Sequence, residues 1–348
     1  MLKINNSVIK YQAKLSMQDF KVNSSLLIYD IKLKKYPQAH QIIKKFPLRY
    51  AVQGGESLKD IRAFPKHVEK ILKLLQNHNQ KNLQIVALGG GSIGDFAGFF
   101  ASVFKRGTKL CLIPSTWLSA LDSAHGGKNG LNVAHLKNQV GTFYIPENIY
   151  IVRSLLKNQP PNLLADAAGE LLKIALIEGE KLWKQVEKIQ RLDEKQLWKI
   201  LPLAVESKYR IVQEDPMEEK GYRQILNFGH TLGHVIEAKL GVSHGNAVGQ
   251  GLVFATEWSH QLGFLGPQQY QIISKSSFYE TFYAGLQMSL KKLTLKQVES
   301  ALMMDKKKDK KDDLYFIFPV RPGLCIRHTV KIKKVVQTFL SLKKSISS

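Results

Sequence analysis

The chain has 348 residues, of which 44% are hydrophobic and 9% aromatic. This composition is typical of packed globular proteins and excludes a wholly disordered chain. At about 150 residues per domain, the length predicts two domains. No apolar run reaches the roughly 20 residues of a membrane-spanning helix, and residues 1–15 lack the apolar core of a secretory signal. Because two cysteines, Cys111 and Cys325, cannot form a disulfide framework, we expect a reduced, cytoplasmic protein with no membrane partner.

The charge balance is strongly basic: 51 Lys and Arg against 28 Asp and Glu give a net charge of +23. Such an excess attracts anions, whether nucleic acid, an acidic membrane or a small phosphorylated substrate. The lysines are scattered, however, and no aromatic residues are interleaved with a basic stripe. The pattern therefore favours lysine as a solubilising residue over nucleic-acid binding, and residues 306–313 are interpreted as a solvated loop.

Short β-like runs alternate with helical stretches in the first 155 residues or so. Strands alternating with helices indicate a largely parallel sheet, so residues 1–155 are predicted to form an α/β domain. Strands are predicted at residues 26–29, 48–52, 83–88 and 110–113, and a helix at residues 59–76.

The remainder, residues 156–348, has helical apolar spacing over most of its length and is predicted to form a helical domain. Helices are predicted from about residue 162 to 262, with breaks near Gly179, residues 216–221 and residues 241–245, then a strand pair at 314–318 and 323–327 and a last helix at 331–342.

A glycine-rich segment follows the predicted strand at residues 83–88. Gly89, Gly91 and Gly94 satisfy the pattern G-x-G-x-x-G, in which backbone amides at a helix start can approach a phosphate. The motif follows an interior strand, however, and no acidic residue stands about 20 positions later to hold a ribose. This motif alone leaves a tight structural turn and a dinucleotide site equally open.

A second polar segment contains two adjacent glycines between Asp122 and Lys128, and Lys137 and Asn138 follow closely. A simple turn explains the glycines but not the polar residues around them. We interpret the segment as a loop that wraps a ligand.

Histidines are concentrated near the middle of the second half. His230 and His234 are four positions apart, which places both imidazoles on one face of a helix. With His244 they suggest a Zn²⁺ site, and Glu170 is the best candidate for a carboxylate ligand. Glu170 and Lys173 lie among leucines, so they either pair in the interior or face water on an amphipathic helix; the segment alone leaves both open.

Taken together and in order, from about Gly54 to Phe318, these segments resemble the 3-dehydroquinate synthases of the sugar phosphate cyclase group. The matching motifs are Gly-Gly-Gly-x-Ile-Gly-Asp, Asp-Ser-x-x-Gly-Gly-Lys, Lys-Asn, Glu-x-x-Lys and Asn-Phe-Gly-His-Thr-x-Gly-His-x-Ile-Glu. The resemblance implies a Rossmann-like amino-terminal NAD-binding domain, a helical carboxy-terminal domain that binds metal and substrate, a site in the cleft between them, and a homodimer.

The resemblance also implies roles for individual residues. The implied metal ligands are Glu170, His230 and His244, so that His234 faces the substrate, in contrast to what its spacing alone suggests. The implied NAD contacts are Glu56, Lys59, Gly90, Gly91, Asp95, Ser115, Thr116, Asp122, Lys128 and Lys137. The implied catalytic residues are Lys128, Lys173, Lys208, Glu219, Arg223, Asn227 and His234, and the implied substrate contacts are Arg106, Asp122, Lys137, Asn138 and Lys306.

The implied activity is that of a phosphorus–oxygen lyase on the shikimate pathway of aromatic amino acid biosynthesis. It converts 3-deoxy-D-arabino-heptulosonate 7-phosphate to 3-dehydroquinate and phosphate. The implied steps are transient oxidation by NAD, phosphate elimination, reduction and intramolecular aldol closure, with Zn²⁺ or Co²⁺ as the metal.

Other functions remain open. A 2-deoxy-scyllo-inosose or valiolone-type synthase would share the fold and cofactors, although the joint presence of Asn227 and His234 favours a dehydroquinate synthase. Metal-dependent polyol dehydrogenases would not need so many phosphate-binding cations, and a catalytically inactive paralogue could use its charge to bind an acidic partner.

The sequence departs from the family pattern at several positions. Residues 158–164 differ in a region that touches NAD in the family, and Gly169 stands where the family has alanine. Asn246 replaces a glutamate that we expect to support the metal ligands. His125 and Asn129 replace the commoner valine and threonine.

Overall fold

The computed structural model describes residues 2–4, 7–78, 80, 82–134, 136–157, 159–303, 308–310 and 313–347. The chain divides into two compact units, Met1–Pro160 and Pro161–Ser348, here called the amino-terminal and carboxy-terminal units. In the described ranges, no helix has the length and apolar character needed to cross a membrane.

In its described residues, the amino-terminal unit combines nine strands with four helices. The strands are β1 Leu2–Ile4, β2 Ser7–Gln12, β3 Ser25–Asp30, β4 Leu48–Val52, β5 Gln84–Gly89, β6 Lys109–Pro114, β7 Lys128–Val133, β8 Leu136–Phe143 and β9 Asn148–Val152. The helices are α1 Pro37–Lys45, α2 Phe64–Leu75, α3 Gly91–Val103 and α4 Arg153–Leu156. Short helical turns occupy Met17–Asp19, Val22–Ser24, Ile31–Lys35, Glu56–Lys59, Phe104–Arg106 and Ser119–Ser123.

Seven of these strands form one sheet in the order β1-β2-β9-β6-β5-β3-β4. Only the β1–β2 pair is antiparallel; the other neighbours run parallel. The central strands β3 and β5 are buried almost throughout, as expected for apolar strands inside a parallel sheet. The four predicted strands are confirmed as β3 to β6, and so is the parallel sheet.

The predicted helix at residues 59–76 is shorter in the structure, because α2 begins only at Phe64. The Asp60 carboxylate accepts the backbone N–H of Arg62 at 2.9 Å, which stabilises a turn instead of a helix. Pro65, which lacks an N–H group, then lies in the first turn of α2, where that group would have no partner.

The predicted ligand loop around Lys128 is in part a β-hairpin, so this expectation needs correction. Gly126 and Gly127 have φ angles of +90° and +67°, which turn the chain sharply. Lys128 then begins β7 and pairs with Phe143 of the antiparallel strand β8, which also carries Lys137 and Asn138. Backbone pairing with a later segment, which no local pattern reveals, converts the loop into strand.

The carboxy-terminal unit is mostly helical. Its helices are α5 Pro161–Glu178, α6 Glu180–Val186, α7 Glu194–Glu214, α8 His230–Leu240, α9 His244–Gln261, α10 Pro267–Ser274, α11 Ser277–Lys292, α12 Leu295–Met303 and α13 Ile332–Ser347, with a helical turn at Arg223–Asn227. A sheet of three strands contains β10 Lys308–Lys310, β11 Asp313–Arg321 and β12 Leu324–Lys331.

The sequence signals in this half correspond well to the observed elements. The predicted breaks at Gly179 and Gly241 are confirmed, and both glycines have positive φ angles, +76° and +67°. The predicted strand pair is confirmed as the antiparallel strands β11 and β12, and the predicted last helix corresponds to α13, which begins one residue later, at Ile332. Residues 306–313 were interpreted as a solvated loop, but in the described part of this run Lys308–Lys310 form β10 and Asp313 begins β11, so that interpretation needs correction.

Candidate functional site

Close packing of α5 against α9 brings together residues that are far apart in the sequence. A Cβ atom on Gly169 of α5 would lie only 1.8 Å from the carbonyl oxygen of Gly245 of α9. The Asp166 carboxylate also accepts the backbone N–H of Gly245 at 2.6 Å. This approach, which only glycine permits, places Glu170 of α5 beside His244, the first residue of α9.

Glu170, His230 and His244 form a cluster suited to a metal ion. The Glu170 side chain is fully buried, and its Oε1 atom lies 3.3 Å from His244 Nε2 and 3.6 Å from His230 Nε2. One ligand atom from each residue lies within 4.8 Å of the other two. Two imidazole nitrogens and one carboxylate oxygen are a donor set of catalytic zinc sites, which keep a fourth position for water or substrate.

The far side of each imidazole is also held in place. His230 Nδ1 lies 3.1 Å from the carbonyl oxygen of Phe228, which can only accept a hydrogen bond. His244 Nδ1 lies 3.2 Å from the Glu237 carboxylate. Such contacts keep the proton on Nδ1 and turn Nε2 towards a metal. The residues present therefore fit a metal such as Zn²⁺.

His234 lies near this cluster but not among its three members. Its ring centroid is 5.3 Å from that of His230 and 6.3 Å from that of His244, and its side chain is exposed. Helical spacing correctly places His234 one turn from His230, but it does not reveal which ring faces Glu170 on another helix.

The electrostatics of the cluster depend on Lys173. Burial raises the pKa of the Glu170 carboxyl, but the Lys173 charge and a hydrogen bond with His244 outweigh burial and hold the pKa at about 2. Burial lowers the pKa of His244, whereas hydrogen bonds to Glu170 and Glu237 raise it to about 10. Glu170 and Lys173 form an ion pair and are almost fully buried. The alternative of an exposed amphipathic helix is therefore wrong.

Besides Lys173, two further predicted cationic residues in this unit are buried. Lys208 on α7 is 5% exposed and Arg223 is 3% exposed. The Arg223 guanidinium donates to the carbonyl oxygen of Pro216 at 2.6 Å. Asn227, at the end of the same helical turn, is half-buried, and Glu219 is exposed. The predicted phosphate contact Lys306 lies outside the described residues.

Asp215 organises the segment that carries Arg223, a role that the sequence reasoning missed. Its carboxylate accepts the backbone N–H groups of Lys220 at 3.0 Å and Arg223 at 3.1 Å. Burial raises the pKa of this carboxyl, but these hydrogen bonds and those from Glu219 and Tyr222 lower it below its usual range. The signal was an Asp at the end of a helix and directly before a proline, a common turn pattern.

In the amino-terminal unit, the glycine-rich segment lies where β5 meets α3. The cleft there is lined by Gly89, Gly90, Gly91, Gly94, Ser119 and Ser123. A Cβ atom on Gly94 would meet nothing within 4 Å, so this side of the cleft is open. Backbone amides at the start of a helix such as α3 suit a phosphate, and ligands of parallel sheets bind at the carboxyl ends of strands.

Other polar residues stand at the same edge of the sheet. Ser115 and Thr116 follow β6, which pairs with β5. Asp30 ends β3, the neighbour of β5 on the other side. An acidic residue in this position can hold a ribose, and it was missed because it precedes the glycines in the chain instead of following them.

Four predicted residues of this unit join in one network of hydrogen bonds. Lys59 Nζ lies 2.6 Å from the Asp95 carboxylate and donates to Asn138 Oδ1 at 2.6 Å. Asn132 links this pair to the fourth residue: its oxygen accepts the Asn138 backbone N–H at 2.9 Å, and its amide donates to Glu56 at 2.8 Å. Asn132 was not predicted, and its role depends on the hairpin.

Of the remaining predicted residues of this unit, Arg106, Lys128 and Lys137 present charge at the surface. Arg106 is exposed and has a φ angle of +68°. Lys128 and Lys137 are exposed on the hairpin, and Lys128 Nζ lies 6.0 Å from the centre of the Phe143 ring. Asp122 is half-buried in the turn at Ser119–Ser123.

The departures from the family pattern have structural consequences. Gln159 donates to the Ser115 carbonyl oxygen at 2.7 Å, so the altered segment still contacts a predicted NAD residue. Asn246 donates to Ser243 at 2.8 Å, whereas the carboxylate beside His244 comes from Glu237. The buried Asn129 donates to the Gly127 and Tyr144 carbonyl oxygens and supports the hairpin.

The chain was compared with known families and structures. Residues 49–166 match the family model "3-dehydroquinate synthase N-terminal" and residues 167–308 match "3-dehydroquinate synthase C-terminal". The 3-dehydroquinate synthase of Saccharolobus solfataricus is 33% identical over 332 residues, which cover 92% of this chain and 86% of that protein.

Solved structures share the fold. A 2-epi-5-epi-valiolone synthase from Streptomyces hygroscopicus, solved with NAD⁺ and Zn²⁺, has a TM-score of 0.81 at 19% identity and covers 99% of each chain. A 2-deoxy-scyllo-inosose synthase, solved with carbaglucose-6-phosphate, NAD⁺ and Co²⁺, has a TM-score of 0.76 at 23% identity and covers 93% of this chain and 92% of its own. The predicted fold class is thus confirmed. Since both halves match the family models and the relative aligns over most of both chains, this chain belongs to the 3-dehydroquinate synthase family.

Proposed function

We propose that this chain is a phosphorus–oxygen lyase that converts 3-deoxy-D-arabino-heptulosonate 7-phosphate to 3-dehydroquinate and phosphate. Family membership over both halves of the chain carries this proposal. The cluster of Glu170, His230 and His244 supports it, because an enzyme that needs a metal must keep a set of ligands together.

The proposed cofactors are NAD and Zn²⁺ or Co²⁺. The amino-terminal unit would bind NAD at the cleft of Gly90 and Gly91, with Asp30 placed for a ribose and Ser115, Thr116 and Asp122 nearby. The carboxy-terminal unit would bind the metal through Glu170, His230 and His244. When bound, NAD⁺ supplies a reversible hydride acceptor and the metal supplies Lewis-acid polarisation. The related synthases solved with NAD⁺ and Zn²⁺ or Co²⁺ support this choice.

The chain's own cations would bind the two anionic groups of the substrate. In the carboxy-terminal unit, the buried Lys208 and Arg223 supply a point charge and a planar fork, which suit phosphate and carboxylate. In the amino-terminal unit, the anionic groups of the substrate would be contacted by three exposed cations and one amide, those of Arg106, Lys128, Lys137 and Asn138. Lys306 is proposed as a further phosphate contact.

Proton transfer is proposed for the exposed His234. An imidazole can accept and return a proton near neutral pH, and the position of His234 beside the metal cluster supports this role. Lys173 would keep Glu170 ionised, while Asn227 and Glu219 would orient the substrate.

We also propose that the protein is a cytoplasmic homodimer whose partner in catalysis is the small phosphorylated keto acid alone. Light scattering coupled to size-exclusion chromatography would test the dimer, and a monomer at assay concentration would contradict it.

The decisive test is release of phosphate from the heptulosonate phosphate by the purified chain with NAD⁺ and Zn²⁺, coupled to detection of dehydroquinate. Both products should form without net NADH, and a chelator should stop turnover until Zn²⁺ is restored. Glucose 6-phosphate, the sugar that carbaglucose-6-phosphate imitates, should not react. Turnover of glucose 6-phosphate instead would indicate an inosose-type synthase, and no turnover by a folded, metal-loaded chain would indicate an inactive paralogue.

A further inference from the structure

The geometry points to Glu237 as a positioning residue that orients His244 for metal binding. This inference rests on the proposed function, because it concerns the metal that we assign to Glu170, His230 and His244.

The contact itself is specific. Glu237 lies on α8 and is 18% exposed, and its Oε2 atom is 3.2 Å from His244 Nδ1. The opposite nitrogen of the same ring, Nε2, lies 3.3 Å from Glu170 Oε1. The imidazole is therefore held between two carboxylates from two different helices.

The turn between α8 and α9 creates this contact. Gly241 ends α8 with a φ angle of +67°, and α9 begins three residues later at His244. The first residue of α9 is thereby brought back beside the last turns of α8. Because Glu237 and His244 lie on two different helices, helical spacing alone does not predict the pair.

His244 needs such support more than His230 does. The His244 side chain is 35% exposed, whereas that of His230 is 12% exposed. His230 is oriented by the backbone carbonyl of Phe228, whose position is set by the main chain and not by a side chain. His244 has a side-chain carboxylate in the same role, and a carboxylate that accepts from the far nitrogen fixes the tautomer and increases the basicity of the ligand.

The nearby polar residue Asn246 provides a matched control. It lies on the same first turn of α9, but its amide donates to Ser243 Oγ at 2.8 Å. Its removal should therefore leave the orientation of His244 unchanged.

The test is titration of the metal-free full chain with Co²⁺, followed by the visible absorption of the bound ion. Wild type, Glu237→Gln, Glu237→Ala and Asn246→Ala are compared, and thermal melting of each metal-free protein reports folding. Glu237→Ala should bind Co²⁺ about 10- to 100-fold more weakly and change the absorption bands, because the coordinating ring is less constrained. Glu237→Gln should recover part of the affinity, since an amide oxygen still accepts from Nδ1–H. Asn246→Ala should match wild type.

Equal affinity and equal spectra in the wild type and both Glu237 variants would overturn the inference while leaving the proposed metal site intact. If Glu237→Ala does not fold, Glu237→Gln decides: weaker binding with an altered spectrum supports the inference, and wild-type behaviour overturns it. Failure of wild type to bind Co²⁺ would instead overturn the metal assignment in the proposed function, and the inference with it.

Discussion

Gly169 and Gly245 touch so closely that neither position leaves room for a side chain. A Cβ atom on Gly169 would lie 1.8 Å from the Gly245 carbonyl oxygen, and a Cβ atom on Gly245 would lie 1.5 Å from the Asp166 carbonyl oxygen. Both obstacles are backbone atoms, so relief requires α5 and α9 to separate. Since Glu170 and His244 are direct neighbours of these glycines, the same contact determines the shape of the metal cluster.

Gly169→Ala should therefore destabilise the protein, although alanine is the residue expected from the family pattern. We expect a loss of about 1–3 kcal/mol or more in the free energy of unfolding, since overpacking forces backbone shifts, together with weaker metal binding. Urea denaturation and metal analysis measure the two effects. Gly266→Ala is the control, because a Cβ atom there would meet nothing within 4 Å. Equal stability of the two variants would show that the helices can separate freely.

His230→Ala and His234→Ala should have different effects although the residues are one helical turn apart. His230→Ala removes a nitrogen that faces Glu170 and should abolish stoichiometric zinc binding. His234→Ala should retain zinc and lose turnover by about 100-fold or more, because it removes the proposed proton carrier. Metal content and phosphate release distinguish the two variants. Loss of zinc in His234→Ala, with zinc retained in His230→Ala, would reverse the assignment.

Lys128→Ala should reduce turnover by about 100- to 1,000-fold, as expected when one charge that stabilises a reacting anion is removed. The exposed ammonium group lies at the start of β7, and its loss should not disturb the hairpin. Lys109→Ala is the matched control, since Lys109 is an exposed lysine that pairs with Glu147 at 3.3 Å. Steady-state kinetics with unchanged melting temperatures provide the measurement. Near-normal kinetics for Lys128→Ala would remove the hairpin from the proposed site.

Asp215→Asn should destabilise the protein in a pH-dependent way. The folded-state pKa of Asp215 is lowered by backbone hydrogen bonds that outweigh the effect of burial. A carboxyl with a lowered pKa contributes stability above its unfolded pKa, near pH 4, and loses that contribution as the pH falls through the folded pKa. The difference between wild type and variant should thus be largest near neutral pH and shrink below about pH 4.

Urea denaturation over a series of pH values measures this difference. Lys220→Ala is the control, because Lys220 donates to Asp215 through its backbone N–H, which the substitution retains. The stability of Lys220→Ala should depend on pH in the same way as that of the wild type. A constant difference between Asp215→Asn and wild type across the pH range would show that the carboxylate charge has no part in stabilising the segment.

The sequence by itself determined most of the architecture and the residue types of the site. Apolar runs bounded by turn residues specified β3 to β6, and Gly179 and Gly241 marked helix ends because glycine readily adopts a left-handed conformation. The ordered motifs indicated the family, and through it they indicated Glu170, His230 and His244 as metal ligands. These features depend on local conformational preference or on motif order, and both can be read along the chain.

Only the tertiary structure decided which side chains meet. Helical spacing suggested His234 as a ligand, whereas packing at Gly169 and Gly245 brings Glu170 to His230 and His244. Pairing of β7 with β8 placed Asn132 between Glu56 and Asn138, and the turn after α8 placed Glu237 on His244. Such contacts join different helices and strands, so their geometry depends on how these elements pack and is absent from any local pattern.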